Sequence, residues 1–79
     1  MATAVADTTP ARLLDAAEHL LGERGVDGVS LRAINAEAGT NVAAAHYHFG
    51  SKEALVRAVL DRRMAVLGDE RLRRLDALA

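Results

Sequence analysis

The sequence predicts an all-α fold, a small helical bundle forming one domain. Three observations predict it. Apolar side chains recur at spacings of three and four through most of the chain, the period of a helix buried along one face. Thr9-Pro10, Ser30 and Ser51 stand where such stretches start, and Gly25, Gly39 and Gly50 where they stop. The composition is 51% hydrophobic but only 3% aromatic, so the core is built from Leu, Val, Ile and Ala. Seventy-nine residues bury a limited fraction of their surface, which predicts modest stability for the domain alone.

Met1 to Thr8 are small and polar and read as a disordered arm. The first helix opens with Thr9 as N-cap and Pro10 at its first position. Leu13, Leu14, Ala17, Leu20 and Leu21 form its apolar stripe, with Arg12, Asp15, Glu18 and His19 on the other side. Gly25 ends it. Val26-Asp27-Gly28-Val29 is a tight connection whose two valines plug the core. Ser30 caps the second helix, in which Leu31, Ile34 and Ala38 fall at helical spacing. Gly39 supplies a turn, since only glycine takes a positive φ without steric cost.

A third helix is predicted over residues 42–48. Ala45 and Phe49 lie four apart and share an inward face, where Phe49 anchors the helix against the first and fourth. Ala43 and Tyr47 then point outward, with Ala44, His46 and His48 beside them. Gly50 stops this helix and Ser51 caps the next, with Glu53 suiting the dipole of its first turn. The fourth helix is predicted from Lys52 to about Leu67, burying Leu55, Val56, Val59, Leu60, Met64 and Leu67. Arg57, Asp61, Arg62 and Arg63 face water. Gly68-Asp69 interrupts the pattern, and residues 70–79 resume it with Leu72, Leu75 and Leu78 opposite Arg71, Arg73 and Arg74. The chain divides into an arm at 1–8, a domain at 9–68 and the start of a further, truncated helical region at 69–79.

Leu31 to Gly50 therefore reads as a helix-turn-helix. Its second helix offers small and hydrogen-bonding groups, and a duplex major groove admits one helix. At these residues a resemblance becomes specific. Ala38-Gly39, seven residues, then Tyr47-His48-Phe49-Gly50-Ser51-Lys52-Glu53-Ala54-Leu55 resembles the DNA-binding motif of the tetracycline-repressor (TetR) family of bacterial transcription regulators. The similarity runs from about Ala11 to Leu67. It implies a homeodomain-like, TetR N-terminal type of bundle that binds double-stranded DNA. It also implies a repressor, dimeric through a C-terminal domain absent from these 79 residues, acting on a palindromic operator.

The resemblance places helix 42–48 in the major groove. Asn41 and His46 are its hydrogen-bonding readers, and Val42, Ala43 and Ala44 can offer apolar contact to thymine methyls. The family's motif puts Tyr47, His48 and Lys52 on backbone phosphates, Lys52 lying with Ser51 at a helix N-terminus, itself an anion site. The bland reading of Ser51-Lys52 is an ordinary cap beside an exposed lysine. Arg32, in the first turn of the second helix, reads equally as a phosphate contact or a solvated arginine. Thr40 completes the candidate set. Asn35 stands where the family usually has a small residue, and Thr40 and Ala45 where it has larger apolar ones. These three departures predict looser packing within the motif.

The net charge of −1 speaks against a nucleic-acid partner, but its distribution matters more. Asp15, Glu18, Glu23 and Asp27 lie early, whereas from Leu31 to Lys52 Glu37 is the only acid, against Arg32, Lys52, His46 and His48. The arm has no Arg or Lys, as a minor-groove arm would need. The absence of cysteine excludes disulfides and thiolate metal sites. No apolar run approaches the roughly 18 residues of a spanning helix, and the N-terminus lacks the basic, then apolar, pattern of a secretory signal, so a cytoplasmic protein is the default. His46 and His48 point about 200° apart on a helix and cannot chelate one ion. With no HExxH, phosphate loop or Ser-His-Asp pattern, neither an enzyme nor a cofactor site is expected. The alternative function is a helical interaction module in which Ala43, Ala44 and Tyr47 pack on a partner protein. Salt separates the two, because DNA binding falls steeply with salt and apolar packing does not.

Overall fold

Two of the helix starts marked in the sequence are closed by the hydroxyls expected there. Ser30 Oγ accepts from Ala33 N at 3.1 Å, and Ser51 Oγ accepts from Ala54 N at 3.1 Å. The computed structural model describes residues 8–78. Most of the expected arm, residues 1–7, lies outside the described residues, as does Ala79. The elements are α1 (Thr9–Arg24), a single 3₁₀ turn (Val26–Gly28), α2 (Leu31–Ala38), α3 (Ala44–Phe49) and α4 (Lys52–Leu78).

The first helix starts one residue earlier than expected. Thr8 occupies the N-cap position without a side-chain cap bond, and its carbonyl accepts from Arg12 N at 3.0 Å. Pro10 sits in the first turn, where its missing N–H has no intrahelical partner to lose. Leu13, Ala16, Ala17 and Leu20 form the buried face, while Leu14 and Leu21 pack at its rim. Ala16 was not in the expected stripe. The face is centred one position round from it, at i, i+3, i+4 and i+7. Of the two valines expected in the core, Val29 is buried and Val26 is 51% exposed, because the 3₁₀ turn carries Val26 away from the bundle.

Gly39 adopts the left-handed conformation (φ 69°, ψ 33°). Its N–H donates to Ala36 O at 3.2 Å, and Thr40 N donates to Asn35 O at 3.0 Å. This pair of bonds closes α2 by satisfying carbonyls that a helix end leaves unpaired. The core is completed by Ile34, Ala45, Leu55 and Val59, so all four helices contribute to one cluster.

The fourth helix corrects two expectations. It runs 27 residues without a break at Gly68. A helical glycine costs about 1 kcal/mol relative to alanine, too little to interrupt a helix hydrogen-bonded on both sides. Leu60, Met64 and Leu67, expected inside, are 55%, 66% and 51% exposed. For Met64 and Leu67 the reason is length: α1 extends about 24 Å and α4 about 40 Å at the usual helical rise, so the distal part of α4 outruns its neighbours. Leu60 lies between the buried Val59 and the Arg62 that binds α1, and is exposed because its side of the helix faces away from the bundle. The radius of gyration of 15.0 Å exceeds the roughly 12 Å of a compact chain this long, as a projecting helix requires.

At the point of departure α4 is tied to α1 by ions. Arg62 donates to Asp15 at 2.8 Å and Glu18 at 2.7 Å, and Arg63 donates to Glu18 at 3.1 Å. The hydrogen bond to Glu18, and then Asp15 beside it, hold the Arg62 guanidinium above its ordinary value. These arginines, expected to face water, thus brace the two helices. Among the described residues no helix is long and apolar enough to cross a membrane.

Candidate nucleic-acid interface

The third helix is shorter than the sequence suggests, and the cause is local. Asn41 Oδ1 accepts from Ala43 N at 2.9 Å, and Asn41 O accepts from Ala44 N at 2.9 Å. This side-chain-to-backbone turn offers the amides an alternative to helix. Val42 and Ala43, expected inside the helix, therefore belong to the turn before it, and α3 spans six residues. Gly50 (φ 88°) stops it, donating to His46 O at 2.8 Å.

What α3 buries is small. Ala45 is completely covered, and Ala44, His48 and Phe49 are half-buried. Phe49 packs against the core from its edge and does not sit within it, a correction to its expected role as the central anchor. The outward set is as expected. Tyr47 is 82% and Val42 78% exposed, and Asn41, Ala43 and His46 are exposed with them. The rings of Tyr47 and His48 meet edge to face at 5.0 Å, an arrangement that fixes both against each other.

Six of the sequence-predicted residues, Thr40, Asn41, Ala43, Ala44, Tyr47 and His48, line one open groove of about 540 Å³. Its far wall is Thr9 and Arg12 of α1. Val42 and His46 do not line this groove but are exposed on the same turn and helix. Arg32 is exposed on the first turn of α2, and Ser51 and Lys52 form the start of α4. The oxygen of Ser51 is engaged as a cap. Thr40 commits its hydroxyl proton to Asn35, at 3.2 Å to the backbone oxygen and 3.1 Å to Oδ1, so it meets any further partner as an acceptor. Asn41 has its oxygen engaged at Ala43, which turns its Nδ2 donors and one remaining lone pair to any further partner.

Two residues that sequence reasoning did not place in the site hold it together. The Arg12 guanidinium, expected simply to face water, donates to Ala38 O at 2.6 Å and Gly39 O at 3.2 Å. It pins α1 to the end of α2, where the helix dipole favours a cation. Asn35, flagged as a source of looser packing, does the opposite. It is 3% exposed and bonded at both ends of its carboxamide: Nδ2 donates to Val42 O at 2.7 Å, and Oδ1 accepts from Ala45 N at 2.9 Å. The available signal was the type of residue, since a polar amide on an otherwise apolar helical face is tolerated only when bonded. Its partners, being backbone groups, left no mark in the sequence. Among the described residues no buried side-chain nitrogen or oxygen lacks a partner.

A short exposed helix, presented after a left-handed turn and braced by three other helices, defines a helix-turn-helix domain. The chain belongs to the tetR family of bacterial regulatory proteins. A family model described as "Bacterial regulatory proteins, tetR family" matches residues 13–59, more than half of the chain. Among similar curated proteins, the HTH-type transcriptional regulator BetI of Brucella anthropi is 38% identical over 58 residues, 73% of this chain and 30% of that protein. The regulator of the same name from Rhizobium meliloti is 36% identical over 67 residues, 85% of this chain and 33% of that protein. The chain thus spans about a third of the length of these relatives.

Proposed function

We propose that α3 lies in the major groove of duplex DNA and reads an operator on behalf of a transcriptional repressor. The observation that carries this is the outward face of α3 and its turn. Val42 and Tyr47 are largely exposed and lie outside the core, while the backbone beneath them is held by bonds from Asn35, Asn41 and the turn. An α-helix with its side chains is about 10–12 Å across, which a major groove about 12 Å wide admits.

In this reading Asn41, through Nδ2, and His46 donate or accept at base edges. Val42, Ala43 and Ala44 meet thymine methyls. Tyr47, His48, Arg32 and Lys52 hold phosphates, with Ser51 fixing the helix start from which Lys52 projects, and Thr40 accepts at the turn. The protein works by binding and not by catalysis, in the cytoplasm, and as a dimer on a palindromic site. Two recognition helices would then sit about 34–36 Å apart, with dimerisation assigned to the portion of the relatives that this chain does not span.

Fluorescence anisotropy on labelled duplexes, selected from a randomised pool and unselected, tests the reading. Binding should prefer the selected duplex and weaken steeply between about 50 and 200 mM salt. Binding to no duplex, or a salt-independent affinity, would favour the interaction-module reading.

A further inference from the structure

The position of α3 is set by a side chain that belongs to another helix. A helix of six residues is far below the roughly 12–15 at which helices become stable alone. Its first amides need partners, and the residue at its own N-cap, Ala43, has no side-chain acceptor to give. Two amides near the start of α3 are met from elsewhere. Asn41 takes Ala43 N, and Asn35, on the inner face of α2, takes Ala45 N at 2.9 Å.

Asn35 does more than cap. The same carboxamide donates to Val42 O at 2.7 Å and accepts from Thr40 Oγ1 at 3.1 Å, while its backbone oxygen accepts from Thr40 N at 3.0 Å. One residue thereby contacts the start of the turn, its middle, and the first turn of the helix beyond. The carboxamide has a donor end and an acceptor end, so these bonds define its orientation as well as its place. Asn35 itself is 3% exposed, and its bond to the Ala45 amide is buried, shielded from competing water. Apolar packing supplies little alternative guidance, since the one completely buried residue of α3 is Ala45, whose side chain is a methyl.

We propose that Asn35 is a positioning residue for DNA selection: a cap supplied from α2 that sets the placement of α3, and through it base discrimination, without touching DNA. The proposal rests on the DNA-binding reading above. Of the expected phosphate contacts, Tyr47 and His48 ride on α3, but Lys52 and Arg32 sit on α4 and on the first turn of α2 and take no bond from the carboxamide, so that part of the non-selective binding stays in place. Loss of the clamp should therefore separate selective from non-selective binding.

The test compares the wild-type chain with Asn35→Ala, at a temperature where circular dichroism shows both folded. Affinity is measured for the selected duplex and for an unrelated duplex at one salt concentration. Asn35→Ala should lose about tenfold or more on the selected duplex, the scale of one lost base contact, and lose clearly less on the unrelated one. Should Asn35→Ala fail to fold, Asn35→Asp replaces it: the carboxylate keeps an acceptor for Ala45 N–H and loses the donor to Val42 O, and the same split is expected. An equal loss on both duplexes, or no loss on either, overturns the proposal while leaving DNA binding intact. A wild-type chain that binds neither duplex overturns the DNA-binding reading and the proposal with it. Hydrogen exchange gives an independent check on the wild type, in which the Ala45 amide should be protected; exchange as fast as in an unfolded peptide would remove the clamp.

Discussion

Replacing Gly39 by alanine probes the turn from two sides at once. The backbone there is left-handed, with φ 69°. An L-residue with a Cβ loses about 1–2 kcal/mol in that conformation. Alanine also restricts the unfolded chain, which returns about 0.4–1 kcal/mol. The added Cβ would lie 3.2 Å from Arg12 Nη2, tighter than ordinary contact, and that nitrogen is the one that donates to Ala38 O and Gly39 O. Displacing it weakens an exposed, charge-assisted pair of bonds, on the order of 0.5–1 kcal/mol after solvent screening. The sum is a net loss of about 1–2 kcal/mol for Gly39→Ala. Urea denaturation followed by circular dichroism resolves this, given a total stability of about 4–12 kcal/mol for a chain of this size. The two causes separate in a double-mutant cycle. In an Arg12→Ala background the substitution should cost only the backbone part. Gly39→Asn, which tolerates the left-handed region, should cost less than Gly39→Ala in either background. A loss below about 0.3 kcal/mol for Gly39→Ala in both backgrounds would show that the turn is not left-handed in solution, and the geometry given to α2 and α3 would fail.

Three further outcomes follow from exposure and burial. Lys52→Ala should weaken binding to all duplexes alike and lower the salt slope by about one; a salt titration with an unchanged slope removes Lys52 from the phosphate contacts. Leu55→Ala, at a completely buried position, should cost about 2–5 kcal/mol, and the half-buried Phe49 should fall below the roughly 3–5 kcal/mol of a core phenylalanine when cut to alanine; a Phe49→Ala loss above that of Leu55→Ala would place the ring in the core after all. Met64→Ser and Leu60→Ser should each change stability by no more than about 0.5 kcal/mol, since both side chains are exposed, and a larger loss in a thermal melt would reveal a covering contact.

The features that sequence conveyed well are those governed by a residue and its near neighbours. Ser30 and Ser51 cap because a hydroxyl at that position reaches the amide three residues on. Gly39 and Gly50 turn the chain because their φ values are positive. The inward Ala45 and outward Tyr47 follow from helical period alone. Failure came where the outcome depends on what lies opposite. The apolar stripe of α4 is continuous in sequence, yet Leu55 and Val59 join the shared core whereas Leu60 turns away from it and Met64 and Leu67 extend past it. Periodicity marks a face as able to pack, and only tertiary structure supplies the surface it packs on. Arg12 and Asn35 were misread for a related reason. Each is satisfied by main-chain atoms, at 26 and 27 residues' separation for Arg12 and 7 and 10 for Asn35, and any residue type offers the same main-chain atoms.

The division of labour in the motif bears on how such a domain changes what it binds. In a helix held by a ridge of large side chains, the outward residues are constrained through the packing of their neighbours. Here the placement of α3 comes from beneath, through the Asn35 carboxamide, the Asn41 turn, the Ala45 methyl and the half-buried Phe49. Val42, Ala43, His46 and Tyr47 project from that base, and exposed side chains of this kind contribute little to stability. Substitution on the outward face can therefore alter base preference while the domain stays folded, whereas substitution at Asn35 alters the frame in which every outward side chain is presented. Under the proposed DNA-binding reading, specificity would have two separable sources, the identity of the reading groups and the rigidity of the clamp that aims them.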